Sequence, residues 1–185
     1  LKSGEVDLNK VGIFMSQTGG GCRASNYVAL LRKALKDMGM EQIPVISVNM
    51  AGLEKNPGLK ISKGIIKRGM MAVMYGDLLM RVLYATRPYE KVPGSANALY
   101  EECCNMIRDN IVSGDMKEYK RLMKVIVEKF DQLPLLDIQK PRVGVVGEIL
   151  VKYHPNANND IVNIIESEGG EAVVLDLADF FLYGM

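Results

Sequence analysis

The chain has 185 residues, a length that fits one compact domain or two small ones. Hydrophobic residues make up 48% and charged residues 24%, which excludes a disordered or collagen-like chain and predicts an ordinary soluble globular protein. With Lys+Arg 23 and Asp+Glu 22 the net charge is only +1, which argues against nucleic-acid and membrane partners and favours small molecules or proteins. Three irregularly spaced cysteines and the lack of a signal-like apolar amino terminus predict a reducing, cytoplasmic setting.

The two ends of the chain predict that it is a piece of a longer protein. It begins at Leu1 without an initiator methionine, and it stops at Met185 directly after the apolar segment 175–183. A site that is assembled from distant segments would then be only partly present.

The amino-terminal part predicts a strand, a helix and a second strand. The apolar run 11–15 is strand-like, and the glycine-rich turn 16–23 follows it. A helix is predicted over 25–38, with Ser25 as its N-cap and Gly39 just past its end, and a strand over 43–48. This order predicts a right-handed parallel βαβ unit.

The segment 61–84 is the most apolar part of the chain. Its stretch 70–84 contains two charged residues and is shorter than the roughly 20 residues that span a bilayer, so we expect a buried helix with its methionines as core residues. Asp77 and Arg81 stand four residues apart, and this spacing favours an intrahelical ion pair over a functional charge pair.

Two amphipathic helices and a second α/β pattern follow. The helices are predicted to begin at Ser95 and at Asp115, each of which can serve as an N-cap. After Pro141 we expect a strand over 142–147, a loop over 148–158, a helix over 159–168 and a strand over 171–175. The predicted fold is therefore α/β, with Rossmann- or flavodoxin-like parallel-sheet units and a helical segment between them. The predicted domains are an α/β domain over 1–140, which includes the helical segment, and the truncated start of a second α/β unit over 141–185.

The glycine-rich turn carries the residues most suited to chemistry. Gly19, Gly20 and Gly21 expose backbone N–H groups before a helix start, where an anion or a thiolate is stabilised. Cys22 is the candidate thiolate, because the helix dipole and Arg23 would both lower the pKa of its thiol. A tight turn around a small buried cysteine explains the same residues equally well. The turn lacks the patterns of a Walker A loop and of a dinucleotide fingerprint.

The remaining cysteines and the single histidine are weaker candidates. Cys103 and Cys104 are adjacent on a predicted helix, so their side chains diverge by about 100° and packing roles are favoured over ligation of one metal. His154 lies in a polar loop after the third predicted strand. There it could act as a general base or ligand, but a hydrogen bond that orders the loop is the favoured role.

Four segments carry a resemblance to a known family. They are QTGGGCRASNY (17–27), GEILVKYHPNANN (147–159), EGGEA (168–172) and DFFLY (179–183). Together they resemble the 2-hydroxyacyl-CoA dehydratase-like part of large anaerobic proteins known as CoA-substrate-specific enzyme activases. The resemblance extends over most of the chain, and its first two segments are the most specific.

The resemblance implies a place on the electron-accepting side of a two-part system. In this family an ATP-hydrolysing activase with a [4Fe-4S] cluster passes a low-potential electron to a dehydratase-like partner, which holds its own iron–sulfur cluster and acts on an acyl-CoA or a related small substrate. Cys22 matches a cluster ligand, and Gly19, Gly20, Gly21 and His154 are assigned to cofactor binding. Backbone N–H donors around a cluster thiolate would raise its reduction potential.

The chain departs from the family in ways that keep other functions open. A cluster needs three or four cysteines, so its other ligands would come from segments outside this chain, and no ATP-binding motif is visible. We therefore expect the isolated chain to hold little or no iron and to be inactive. The alternative is a non-catalytic scaffold or docking domain for the activase, and a weaker third possibility is phosphate or CoA binding at Gly19, Gly20 and Gly21.

Overall fold

The computed structural model describes residues 4–17, 23–49 and 62–183. The chain divides into two compact units, Leu1–Lys60 and Ile61–Met185. The boundary that the sequence predicts near Lys140 lies inside the second unit, in which a long helix from the middle of the chain packs against a strand near its end.

The first unit contains the predicted parallel βαβ arrangement. Strands β1 (Ile13–Gln17) and β2 (Val45–Asn49) pair in parallel, and helix α1 (Tyr27–Asp37) connects them. The helix places apolar residues against the strands, so that a small core forms from Val28, Leu35, Ile43 and Val45. The left-handed Gly39, at φ +67°, lies just past the end of α1, as predicted.

The start of α1 differs from the prediction. A 3-10 turn, Arg23–Asn26, precedes the helix, and Asn26 rather than Ser25 occupies the N-cap position without a side-chain capping bond. The predicted Ser25 cap is wrong because Ser25 is itself part of this tighter turn.

Three helices form the main core of the second unit. They are α2 (Lys63–Thr86), α3 (Ser95–Ser113) and α4 (Met116–Asp131). The Asp115 side chain accepts hydrogen bonds from the N–H groups of Lys117 and Glu118, which confirms it as the N-cap of α4. The buried residues of this core are Tyr75, Leu79, Leu83, Ala96, Cys103, Ile107, Leu122, Ile126 and Phe130.

Helix α2 is buried on one face only, which corrects the expectation of a buried helix. Met71 and Tyr75 are buried against α3 and α4, whereas Met70 is 65% exposed and Met74 41% exposed. The reason is geometric, since residues four apart share a helix face, and α3 and α4 cover the face of Met71 and Tyr75.

A second parallel pair of strands follows the helices. Strands β3 (Arg142–Val145) and β4 (Glu171–Val174) pair in parallel, with Arg142 opposite Glu171. Helices α5 (Ile149–Tyr153) and α6 (Ile161–Ser167) lie between them in sequence, and α7 (Leu177–Tyr183) follows β4. The predicted α/β class, with parallel-sheet units and a helical segment between them, is confirmed.

Two boundaries in this region differ from the prediction. The predicted loop 148–158 contains α5, which begins because the Glu148 carboxylate accepts a hydrogen bond from the Val151 N–H at 3.0 Å. Helix α6 begins at Ile161 instead of Asn159, because Asn159 and Asp160 have left-handed backbones with φ of 57° and 56°. Within the described ranges, no helix is both long enough and apolar enough to cross a membrane.

Candidate functional site

Strand β1 and a 3-10 turn flank the predicted glycine-rich site in the sequence. Strand β1 ends at Gln17 and the 3-10 turn begins at Arg23, so Gly19, Gly20, Gly21 and Cys22 lie outside the described residues. The two flanks are tied together, because the Gln17 amide Nε2 donates a hydrogen bond of 2.8 Å to the Ser25 carbonyl. This edge of a parallel sheet is where open α/β folds bind ligands.

The corresponding edge of the second sheet carries two carboxylates. Glu148 follows β3 and Asp176 follows β4, and parallel strands bring both loops to the same edge. The Tyr153 hydroxyl donates a hydrogen bond of 2.5 Å to the Leu175 carbonyl and so joins α5, which follows β3, to the loop after β4. Within the described residues, Glu148 Oε1 and Asp176 Oδ1 are buried and have no hydrogen-bond partner.

Asp77 reaches this edge from α2, which corrects the predicted ion pair with Arg81. The buried Asp77 carboxylate accepts hydrogen bonds from the N–H groups of Leu177 and Ala178 at 2.9 and 2.8 Å. Arg81 instead pairs with Asp176 at 2.5 Å. The predicted i,i+4 ion pair between Asp77 and Arg81 does not form, because the first turn of α7 offers free N–H groups to the Asp77 carboxylate. Hydrogen bonds from these N–H groups to the buried carboxylate contribute more than an exposed i,i+4 ion pair does.

The environment of Asp176 favours its protonated form. Burial raises the pKa of this carboxyl above its ordinary value; Arg81 opposes the shift, and Asp77 and Asp179 add to it. Asp176 can therefore hold a proton at a higher pH than a free aspartate, and its unpartnered oxygen can accept a hydrogen bond. Sequence reasoning missed this carboxylate, although an acidic residue directly after a predicted strand was the signal that could have found it.

His154 caps the end of α5 and is exposed. Its carbonyl accepts hydrogen bonds from the N–H groups of Ala157 and Asn158 at 2.9 and 3.1 Å, so its backbone orders the loop. A small cavity of about 60 Å³ is lined by its neighbours Lys152, Tyr153 and Pro155 but not by His154 itself. The assignment of His154 to cofactor binding stays a prediction.

A larger cavity, of about 270 Å³, lies between β4 and α2. It contacts the whole of β4 together with Leu175, and its other residues are Arg142 of β3 and Arg81, Tyr84 and Ala85 of α2. Cavities for drug-sized ligands and cofactors run from about 300 to 1,000 Å³. This cavity is therefore slightly small for a nucleotide or CoA.

The described cysteines do not fit the ligand set of an iron–sulfur cluster. Cys103 is fully buried in the helical core, and burial raises the pKa of its thiol to about 11, so it stays protonated at neutral pH. Cys104 is partly buried and packs against the same core. The predicted packing roles of both are confirmed. Among the described residues, no three histidine, cysteine or acidic side chains are grouped so that they could hold a metal ion.

Comparisons with known proteins identify no relative, since no family model, curated protein or solved structure matches this chain. The functional interpretation therefore depends on the chemistry of the residues and on the resemblance of the four segments described above.

Proposed function

We propose that the chain is the dehydratase-like, electron-accepting part of an anaerobic, cytoplasmic reductase system that depends on ATP and iron–sulfur clusters. Its partner would be an ATP-hydrolysing activase, and its substrate an acyl-CoA or a related small molecule. When bound, the cluster would accept one low-potential electron at a time. Cys22 is the proposed ligand within this chain, and the remaining ligands would come from outside it.

The arrangement of the residues on either side of the glycine-rich segment is the observation that supports this proposal. Residues 18–22 connect the carboxyl end of a parallel strand to a helical turn, and Gln17 and Ser25 are hydrogen-bonded across them. The flanks of Cys22 are thereby fixed at a sheet edge that is favourable for a ligand. Gly19, Gly20 and Gly21 would supply backbone N–H groups to sulfur or to an anion at this edge.

Iron analysis of the full-length protein tests the proposal. We expect the anaerobically purified protein to hold iron and acid-labile sulfide, and we expect Cys22→Ser to lower both or to change the electron paramagnetic resonance spectrum. Cys104→Ser is the matched control, because Cys104 packs against the helical core and its loss should leave the spectrum unchanged. Identical iron content and spectra in the Cys22→Ser and unmodified proteins would exclude Cys22 as a ligand.

A scaffold or docking domain for the activase is the second candidate. Exposed apolar residues on α2 favour it, since Ile66, Met70 and Met74 repeat every four residues and are between 41% and 65% exposed. In that case Met70→Lys would weaken activase binding, measured by calorimetry, while Cys22→Ser would leave both binding and reductase activity unchanged.

A further inference from the structure

The starts of α2 and α4 form one end of the helical core of the second unit. The Lys67 Nζ donates a hydrogen bond of 2.6 Å to the carbonyl of Gly114, the C-cap of α3. Further along α2 and α4, the rings of Tyr75 and Tyr119 lie 4.9 Å apart. The two contacts show that α2 and α4 run in the same direction, so their first turns lie at the same end of the core as the last turn of α3.

This end of the core, which we name the basic tip, consists of residues 62–70 and 112–124. All of 62–70 are exposed, so the described parts of the chain do not cover the first two turns of α2. Apolar side chains on the basic tip are between 40% and 67% exposed: Ile65, Ile66, Met70, Val112 and Met116. Neighbouring residues of a helix point about 100° apart, so Ile65 and Ile66 face different directions. The apolar surface is therefore spread over several faces of the basic tip, and an exposed cluster of this kind marks an interaction site.

The basic tip also concentrates positive charge. It holds seven basic residues and two acidic ones, although the charge of the whole chain is only +1. Both acidic residues already have partners, since Asp115 caps α4 and Glu118 pairs with Arg121 at 2.6 Å. Four exposed lysines of the tip form no ion pair within the described ranges: Lys63, Lys117, Lys120 and Lys124. The overall charge, which argued against a membrane partner, therefore conceals a strongly basic end.

We propose that the basic tip binds the surface of a membrane that contains anionic lipids. The unpaired lysines lie at the level of the lipid phosphates, and the exposed apolar side chains enter the boundary between the headgroups and the acyl chains. The protein then lies on the membrane and does not cross it. The proposal is independent of the cluster and of Cys22.

Two features of the basic tip favour a lipid surface over other anionic partners. A protein groove receives apolar side chains from one face of a helix, whereas Ile65 and Ile66 face different directions. A fluid headgroup layer can surround a protruding end and contact apolar side chains on all of its faces. Nucleic-acid phosphates would neutralise the lysines but would leave the isoleucines in water.

Sedimentation of the full chain with lipid vesicles tests the proposal. We expect binding to vesicles of equal parts phosphatidylcholine and phosphatidylglycerol, and no binding to phosphatidylcholine alone. Binding to the anionic vesicles should weaken as the salt concentration rises, because salt screens the attraction between the lysines and the headgroups.

Substitutions on the basic tip test the two parts of the interaction separately. Lys117→Gln and Lys120→Gln should each lower the partition coefficient about fivefold, the contribution of one lysine near an anionic surface. Ile65→Ser combined with Ile66→Ser should lower it at least about tenfold, because two apolar side chains no longer leave water. Lys91→Gln combined with Val92→Ser is the matched control, since both residues are exposed and precede α3 at the opposite end of the core, and it should leave binding unchanged.

Three results would overturn the proposal. The first is that the anionic vesicles do not bind the protein. The second is that the isoleucine variant binds them as tightly as the unmodified protein, which would indicate adsorption by charge alone. The third is that soluble poly-glutamate binds as tightly as the vesicles at equal concentrations of negative charge, which would indicate an acidic protein partner.

Discussion

Replacement of Asp77 tests a contact of the second unit that joins residues about 100 positions apart in the sequence. Its carboxylate is buried and accepts two hydrogen bonds, from Leu177 and Ala178, which lie 100 and 101 residues away in sequence. In the Asp77→Ala variant both N–H groups lose their acceptor. The side chain therefore holds the start of α7 against α2, and its removal should destabilise this unit.

The magnitude follows from the two bonds. A hydrogen bond to a charged group contributes about 1.5 to 3 kcal/mol, so two bonds at the lower end of this range give ~3 kcal/mol. The loss of repulsion between Asp77 and Asp176 offsets part of this amount. We expect the free energy of unfolding to fall by about 2 to 3 kcal/mol, which is a roughly 30- to 150-fold larger unfolded population.

Amide hydrogen exchange in denaturant is the suitable assay, because it reports on this unit separately. The amide of Leu79, which lies in the core, should exchange through global unfolding of the unit, and its free energy should fall by the stated amount. The exposed Asp109→Ala on α3 is the control, and we expect it to stay within about 0.5 kcal/mol of the unmodified protein. An equally small effect of Asp77→Ala would refute the assigned role of this carboxylate.

Three further predictions concern other buried groups of the second unit. Tyr75→Phe should destabilise the second unit by about 1 to 3 kcal/mol in the same exchange assay. The Tyr75 hydroxyl donates a buried hydrogen bond of 2.8 Å to Asn110 Oδ1, and the substitution leaves that oxygen without this donor. Burial raises the pKa of the Asp176 carboxyl above the ordinary 3.8, so the folded state binds this proton more tightly than the unfolded state does. The contribution of Asp176 to the free energy of unfolding therefore falls as the pH rises through the interval above 3.8, and Asp176→Asn should remove this fall. Arg81→Gln should raise the pKa of Asp176 further in a carbon NMR titration. Burial also raises the pKa of the Cys103 thiol from 9.0 to about 11, so its alkylation by iodoacetamide at pH 8 should be at least about 100-fold slower than that of a free thiol.

A specific experimental result would contradict each of these three predictions. A Tyr75→Phe protein as stable as the original would mean that Asn110 finds another donor. An Asp176 pKa at or below 3.8 would show that the Arg81 pairing outweighs burial. Rapid alkylation of Cys103 in folded protein, with the exchange pattern of the core unchanged, would contradict its place in the helical core.

Local patterns were sufficient to predict much of the fold. The structure confirms the predictions of β1, of β2 and of the Asp115 cap of α4. Each of these predictions uses only residues that are neighbours in the sequence. Helix α3 begins at Ser95 as predicted, but Ser95 is its first residue and not its cap. The carboxylate of Glu90 accepts hydrogen bonds from the N–H groups of Gly94 and Ala96 from outside the helix. The predicted cap at Ser95 is therefore wrong, since the group that caps this helix precedes it by several residues.

The candidate site could be predicted only in part, because some of its contacts join residues that are far apart in the sequence. Sequence position alone indicated that function would lie at the carboxyl ends of strands, and both sheets are built in a way that permits this. The partners of Asp77 and Arg81 could not be predicted, because they lie in the first turn of α7 and at Asp176 just before it, about 100 residues later. Helix spacing describes which residues are neighbours on one helix, but it does not show whether a distant backbone group offers a better partner.

The pairing of Asp77 with α7 also has a consequence for synthesis on the ribosome. The core of α2, α3 and α4 uses residues up to Phe130, and these helices can pack as soon as that residue has left the exit tunnel. The N–H groups that bind Asp77 are made almost 50 residues later. During that interval water must solvate the carboxylate, and its contact with α7 can form only after Ala178 has also left the exit tunnel.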